Sequence, residues 1–261
     1  MQNQKMKVAI LAGGLGTRLS EETSLKPKPM VEIGGKPLLW HIMNIYSHYG
    51  YREFVIALGY KGEIIKDYFI NYHYGAHNLT VDLRTGNVSV HDGAAQDWIV
   101  HLVDTGIETN TGGRVKRVSE YLCGERFMLT YGDGVSNVNI PHLIEFHECQ
   151  KKLATVTAVR PPARFGQMVV DGDRVTQFRE KPQIGEGWIN GGFFVVEPGI
   201  VDYIEGDQTA WEYESLERIA AAGQLAAYRH DDFWQCMDTI RDVHLLERMW
   251  SERTAPWKIW S

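Results

Sequence analysis

The sequence predicts an α/β fold: a Rossmann-like, mostly parallel sheet flanked by helices, with small β-hairpin insertions. Three observations predict it. Short apolar runs such as KVAIL at 7–11 and EFVIAL at 53–58 read as strands buried on both faces. Segments with apolar residues at helical spacing alternate with them. The first strand opens directly into a glycine-rich loop, GGLG at 13–16, the kind of strand end at which α/β proteins bind ligands.

The elements follow in order. After the strand at 7–11, Leu39, Ile42, Met43 and Tyr46 form a helical stripe within 37–49 that Gly50 can terminate. A second strand at 53–58 leads to a helix at 61–73. From Leu79 the pattern changes to a hairpin around Gly86-Asn87. A strand at 98–104, a helix at 114–122 and a buried strand at 127–131 come next, the last ending in GDGV. A helix near 141–150 and a strand at 154–159 precede an alternating stretch at 167–178, which reads as a hairpin about Gly172. The segment 188–196 is rich in β-formers, and helices are expected at 198–205, 212–222 and 240–250. Repeats and low-complexity linkers are absent, so one domain over 1–261 is expected.

Composition narrows the function. With 44% hydrophobic residues the chain is globular. No apolar run approaches the roughly 20 residues of a membrane span, and the short polar stretch 1–7 does not read as a signal peptide, so none is expected. Three widely spaced cysteines, Cys123, Cys149 and Cys236, read as reduced thiols of a cytoplasmic protein. A net charge of −6, from 27 basic and 33 acidic residues, argues against a nucleic-acid surface. An anion must then be held by local charge. One basic cluster comprises Arg18, Lys26, Lys28 and Lys36; another, Arg114, Lys116 and Arg117, reads equally well as a solvated face. His73 and His77 are four apart, but Gly75 weakens that helix and no third ligand is evident, so a packing or surface role is expected. Most of the eight tryptophans belong in a core, while the tail bearing Trp250, Trp257 and Trp260 is a candidate to dock on a neighbouring subunit.

The glycine loop lets backbone N–H groups approach a phosphate. It is not a P-loop, because no lysine stands where GxxxxGK[ST] requires one. Nor is it the dinucleotide fingerprint GxGxxG, since Leu19 replaces the third glycine. Its distinguishing additions are Arg18 and the Lys26-Pro27-Lys28-Pro29 stretch, in which prolines fix φ and hold the lysines in an extended segment.

These residues resemble the sugar-1-phosphate nucleotidylyltransferases. The resemblance runs through LAGGLGTRL, KPKPM, GGKPL, DTGIETNTGGRVKR, TYGDGV, FREKP, NGGFFV and FWQCMDTIRD, essentially the whole chain. The opening, TGGRVKR and the APWK tail look closest to the glucose-1-phosphate cytidylyltransferase branch. It implies a nucleotide-diphospho-sugar transferase fold, its nucleotide part at about 1–135 and its sugar-binding and oligomerisation part at about 136–261. It further implies a cytidylyl transfer from CTP to glucose 1-phosphate, with CDP-glucose and pyrophosphate as products. The implied setting is bacterial O-antigen (dideoxyhexose) synthesis, and the implied state a homo-oligomer, a hexamer among the candidates. Uridylyl, thymidylyl or guanylyl transfer to a related sugar 1-phosphate is the alternative.

The chemistry needs no general base, because a phosphate monoester with a second pKa of about 6 is already a nucleophile at neutral pH. What it needs is alignment of two repelling anions and neutralised charge. The resemblance assigns Arg18 to the leaving part of the triphosphate and Lys28 to a place between nucleotide α-phosphate and sugar phosphate; Lys26 reads as a surface lysine. Magnesium suits this chemistry, and the resemblance gives it to Asp133 and Asp238. For the nucleotide it implies Leu11, Ala12, Gly13, Gly14, Leu15, Gly16 and Thr17, with Arg18, Thr109, Arg114, Gly132 and Asp133. For the sugar phosphate it implies Lys28, Gly166, Glu180, Lys181 and Asn190. Cytosine must donate its exocyclic amine to an acceptor, which a backbone carbonyl can provide, so side chains do not reveal the base.

Overall fold

The alternation of side chains along the strands sets the architecture. In the computed structural model, which describes residues 6–16, 19, 23–75, 77–91, 96–161, 167–171, 173–179 and 187–261, β1 (Val8–Leu11) sends Val8 and Ile10 into one core and Ala9 and Leu11 into another. A minute hairpin, β2 (Glu32–Ile33) and β3 (Lys36–Pro37), leads into α1 (Leu38–His48), and Gly50 closes that helix at φ 88°. β4 (Glu53–Leu58) splits its side chains as β1 does, with Phe54 and Ile56 opposite Val55 and Ala57. Helices α2 (Gly62–Ile70) and α3 (Tyr72–Gly75) follow. Next comes the exposed hairpin β5 (Asn78–Asp82) and β6 (Asn87–His91), turned at Gly86 with φ 75°.

The chain then returns to the sheet as β7 (Ile99–Asp104), leaves as α4 (Thr111–Val118), and re-enters as β8 (Phe127–Tyr131). Short β9 (Gly134–Ser136) precedes α5 (Ile140–Gln150) and β10 (Ala154–Val159). A hairpin of β11 (Gln167–Asp171) and β12 (Arg174–Arg179) is followed by β13 (Ile189–Val196). The chain finishes with α6 (Leu216–Ala221), β14 (Leu225–His230), β15 (Trp234–Cys236) and α7 (Ile240–Ser251).

Seven strands form one sheet in the order β14-β10-β13-β8-β1-β4-β7. Pairing is parallel throughout except at β13, which runs antiparallel to both β8 and β10. α1 and α7 cover one face and α4 and α6 the other, so both faces are buried and the strands read as unbroken apolar runs. No helix among the described residues is long and apolar enough to cross a membrane.

Several expectations are corrected. The fourth helix starts at Thr111 rather than at 114, because Gly112 and Gly113 are not helix breakers here. A Cβ on either would lie 2.7 or 2.5 Å from the carbonyl oxygens of Thr209 and Asp207, so glycine is required by close backbone approach. The stretch expected to be helical at 198–205 is a 3₁₀ turn, and that at 212–222 begins as a π turn before α6. Pro27 is extended as expected, but Lys28–Met30 closes into a 3₁₀ turn in which the Met30 N–H donates to the Pro27 carbonyl at 2.8 Å.

The tryptophan tail finds its partners within the chain. Trp257 is fully buried, and Trp250 lies against Gly34, where a Cβ would sit 1.9 Å from its indole nitrogen. Between them lies His41, edge-on to Trp250 at 4.7 Å. Its Nε2–H donates to the Ile33 carbonyl at 2.8 Å, and its Nδ1 accepts from Trp257 Nε1–H at 3.4 Å. Burial lowers the His41 pKa to about 4, the Ile33 carbonyl opposing only in part, so the ring is neutral.

Candidate active site

Strand register brings the first two walls of the site together. β1 and β8 lie side by side with Leu11 level with Tyr131, so the glycine loop and the Gly132-Asp133 turn leave the sheet at the same edge. The Gly132 N–H donates to the Leu11 carbonyl at 3.0 Å. A Cβ on Gly132 would come within 2.9 Å of the Pro29 ring, which explains glycine there and brings the Lys28 turn against the strand end. Gly16, at φ 63°, turns the loop back over Lys28 and Thr23.

A third wall arrives from far along the chain. β15 pairs antiparallel with β9, Cys236 opposite Gly134, and the Met237 N–H donates to the Asp133 carbonyl at 2.8 Å. Asp238 is thereby delivered beside Asp133. Its own backbone N–H and that of Thr239 donate to Asp242, whose carboxylate completes a capping box at the start of α7. The fourth wall is the N-terminal end of α4 with the segment before it.

These walls enclose a cavity of about 520 Å³. It is lined by the loop from Leu11 to Gly16 and by Lys28, Thr109, Arg114, Gly132, Asp133 and Asp238, all residues the sequence had nominated. Asn190 lies outside that lining, at the start of β13, where its amide nitrogen donates to the Tyr131 hydroxyl at 3.0 Å. Thr17, Arg18, Gly166, Glu180 and Lys181 lie outside the described residues.

Lys28 holds the centre. Its ammonium is 2.7 Å from Asp133 Oδ2 and 2.5 Å from Asp238 Oδ1, with its side chain 13% exposed. Burial alone would lower its pKa; the two carboxylates more than offset that and raise it above the usual lysine value. Lys28 is therefore a fixed positive charge. Lys26 instead makes a longer surface pair with Glu32 at 3.4 Å.

Arg114 is a different kind of cation. Its guanidinium donates to the carbonyls of Leu58, Gly106 and Ile107 at 2.8–3.1 Å and to Thr105 Oγ1 at 2.7 Å. A Cβ on Gly13 or Gly59 would fall 2.3 or 2.4 Å from it, so it underlies the glycine loop and fixes its height. Burial holds its pKa below the ordinary arginine value. Its neighbours are structural as well: Arg117 pairs with Asp207 at 2.7 Å, and Lys116 donates to the Ile204 carbonyl at 2.7 Å.

Asp133 and Asp238 fit a magnesium ion. They are oxygen donors from two separate elements, converge on one cation already, and leave the remaining positions to water and phosphate as Mg²⁺ prefers. No group of three or more His, Cys, Asp or Glu side chains among the described residues forms a closed metal cage, and His77 simply meets the His73 carbonyl at 2.6 Å. Cys236 is no nucleophile: burial, then Asp238 and Asp133, push its thiol up to about 12.

Three contributors escaped sequence reading: Tyr131, Thr111 and Glu212. Thr111 Oγ1 donates to Glu212 Oε2 at 2.6 Å, across 101 positions of sequence. A polar pair so far apart leaves no local pattern; only the aromatic beside GDG marked Tyr131 at all.

Comparison with known proteins places this arrangement. The nucleotidyl transferase family model matches residues 7–250. A glucose-1-phosphate cytidylyltransferase of Salmonella typhi is 51% identical over 256 residues, covering 98% of this chain and all of that protein. A probable glucose-1-phosphate cytidylyltransferase of Bacillus subtilis is 44% identical over the same share of both chains. Among solved structures, a UDP-glucose pyrophosphorylase complexed with UDP-glucose superimposes with a TM-score of 0.68 over 96% of this chain and 100% of that one. At 14% identity that likeness speaks for the fold alone.

Proposed function

Because the chain belongs to the nucleotidyl transferase family, we propose that it transfers a cytidylyl group from CTP to α-D-glucose 1-phosphate, giving CDP-glucose and pyrophosphate. The observation that carries this reading is the 51% identity to a glucose-1-phosphate cytidylyltransferase along its entire length. The cavity supplies what the chemistry asks for: a glycine loop for phosphate, a permanently charged lysine and two carboxylates at one strand edge.

In this reading a sugar-phosphate oxygen attacks the α-phosphorus in line. The new P–O bond forms as the bond to the bridging oxygen breaks, and pyrophosphate leaves with that electron pair. Lys28 neutralises charge on the α-phosphate and the incoming monoester, and Arg18 takes the leaving end. Backbone N–H groups from Ala12 to Gly16, backed by Arg114, cradle the nucleotide, with Thr109 beside them. Asp133 and Asp238 hold Mg²⁺, which when bound supplies charge neutralisation to phosphate oxygens. The sugar is met by Asn190 with Gly166, Glu180 and Lys181. The part up to about residue 135 serves the nucleotide and the remainder the sugar. A cytoplasmic homo-oligomer, with a hexamer the state to test by sedimentation, serving O-antigen dideoxyhexose synthesis completes the proposal.

The test is pyrophosphate release with glucose 1-phosphate and each of CTP, UTP, dTTP and GTP in turn. CTP is expected to be consumed at least tenfold faster than the others, a discrimination of about 1.4 kcal/mol. A preference for another triphosphate would transfer the reading to the uridylyl, thymidylyl or guanylyl class.

A further inference from the structure

We propose that Tyr131 is a positioning residue for the sugar: its hydroxyl holds the nitrogen of the Asn190 carboxamide, whose oxygen is held by the Gly192 N–H, so that the remaining edge is presented in one place to the sugar 1-phosphate. This rests on the reaction proposed above.

The orientation of Asn190 follows from its neighbours. The Gly192 backbone N–H can only donate, and it meets the Asn190 side chain at 2.8 Å, so the atom facing it is Oδ1. Nδ2 is then the atom facing Tyr131, 3.0 Å from its hydroxyl oxygen. That oxygen accepts, and the nearby Glu212 carboxylate attracts its hydrogen. Glu212 also accepts from Thr111 Oγ1 at 2.6 Å, and Thr111 Oγ1 accepts from the Trp211 N–H at 2.9 Å. Burial and the Glu212 charge raise the Tyr131 pKa, which keeps the hydroxyl protonated at neutral pH.

The ring itself cannot swing away. A Cβ on Gly192 would lie 2.5 Å from Tyr131 Cδ2, and Gly192 takes φ 78°, which glycine alone adopts without strain. On its other side the ring stands edge-on to Phe194 at 6.0 Å. Trp234 Nε1 donates to the Gly191 carbonyl at 2.7 Å, which ties the start of β13 to β15, the strand that precedes Asp238. β13 pairs with β8 from Phe193 opposite Thr130 onward, so Asn190 projects beyond that ladder, at the edge where Gly132 and Asp133 leave β8.

The consequence is chemical. With one amide hydrogen given to Tyr131 and one lone pair to Gly192, Asn190 retains one N–H and one lone pair. A donor and an acceptor fixed side by side suit a pair of sugar hydroxyls. Without the tyrosine hydroxyl the carboxamide loses the bond to its nitrogen and is held at Gly192 alone. Tyr131 also borders the cavity, yet its hydroxyl acts through Asn190.

Initial rates with CTP and glucose 1-phosphate test this. Wild-type rates come first: their absence with every sugar 1-phosphate overturns the proposed reaction and this assignment with it. Given an active wild type, Tyr131→Phe is expected to raise the KM for glucose 1-phosphate about tenfold, the scale of one oriented hydrogen bond, while the KM for CTP stays within about twofold. A parallel rise in both KM values, or an unchanged sugar KM, overturns the proposal. Asn190→Ala, at an exposed position, removes the same hydrogen bond from the other end and is expected to raise the sugar KM selectively. In the Asn190→Ala background Tyr131→Phe adds little if the two act as one unit; effects that multiply overturn the assignment.

Discussion

At the cavity edge Lys28 is withdrawn from water between two carboxylates and keeps its charge; beneath the C-terminal tail His41 is withdrawn among tryptophan rings and loses its own. Burial pushes both pKa values the same way. The difference lies in the partners: Asp133 and Asp238 for the lysine, a carbonyl and four indoles for the histidine. Arg114 stands between these cases, charged but satisfied by neutral carbonyl dipoles. Carboxylates are partners that a divalent cation and phosphates can exchange for others, whereas carbonyls built into the backbone are not. The three basic side chains thus divide into one held by exchangeable partners, one that shapes the loop, and one that locks the tail.

The largest expected effect comes from removing the first. Lys28→Ala should lower turnover by roughly a hundredfold to a thousandfold, the loss typical of one preorganised charge or donor at a transferring group. It should also do something that loss of a structural lysine would not. With the ammonium gone, Asp133 and Asp238 face each other without the cation that now bridges them. Nucleotide-free binding of Mn²⁺, read by electron paramagnetic resonance, should therefore tighten in the variant while catalysis collapses. Weaker Mn²⁺ binding would show that the lysine supports the carboxylates and does not compete for them.

Arg114→Ala should act chiefly on stability. It leaves the carbonyls of Leu58, Gly106 and Ile107 without their donor and opens a void beneath Gly13 and Gly59. A loss of about 3 kcal/mol is expected, or roughly 6–12 °C in melting temperature for a chain of this size. Arg114→Lys should recover little of it, because one ammonium cannot match the planar fork. A variant melting like wild type but with a large rise in nucleotide KM would move Arg114 into the same class as Lys28.

How much of this was legible beforehand follows from how local each feature is. The parallel core was readable because strands buried on both faces are continuous apolar runs, and the loop because its glycines and Lys28 sit within 16 positions. Asp133 was readable from its place at a strand end. What places Asp238 beside it was not, since β9 and β15 are three residues each and are separated by almost a hundred positions. The role of Arg114 was hidden for a related reason. A basic run looks the same whether its guanidinium meets solvent, phosphate or carbonyls, and only the fold shows that Leu58 and Ile107 are waiting. Gly112 and Gly113 concealed a helix start because their reason is a backbone more than 90 positions away. The packing of the tail was not local either: its tryptophans meet α1 and the β2–β3 turn, some two hundred positions earlier in the chain.

The tail also supplies the smallest and most specific of the tests, because a neutral buried histidine leaves a signature in pH. The His41 pKa of about 4 lies below the value near 6.5 that the unfolded chain would have. Above pH 6.5 both states are neutral there and the contribution is constant. Between pH 6.5 and 4 the unfolded chain binds a proton that the folded chain refuses, so stability falls as pH falls, by about 1.4 kcal/mol per unit at most and about 3 kcal/mol in all. Other groups titrate in that window, and a difference isolates this one. His41→Gln retains a donor for the Ile33 carbonyl and an acceptor for Trp257 while removing the titration. Denaturant midpoints for the two proteins, compared at pH 7 and pH 5, should converge on acidification, the variant losing less stability over that interval than wild type. Parallel losses would mean that His41 accepts its proton in the folded state, which requires an anion or water among the indoles and would erase the contrast with Lys28.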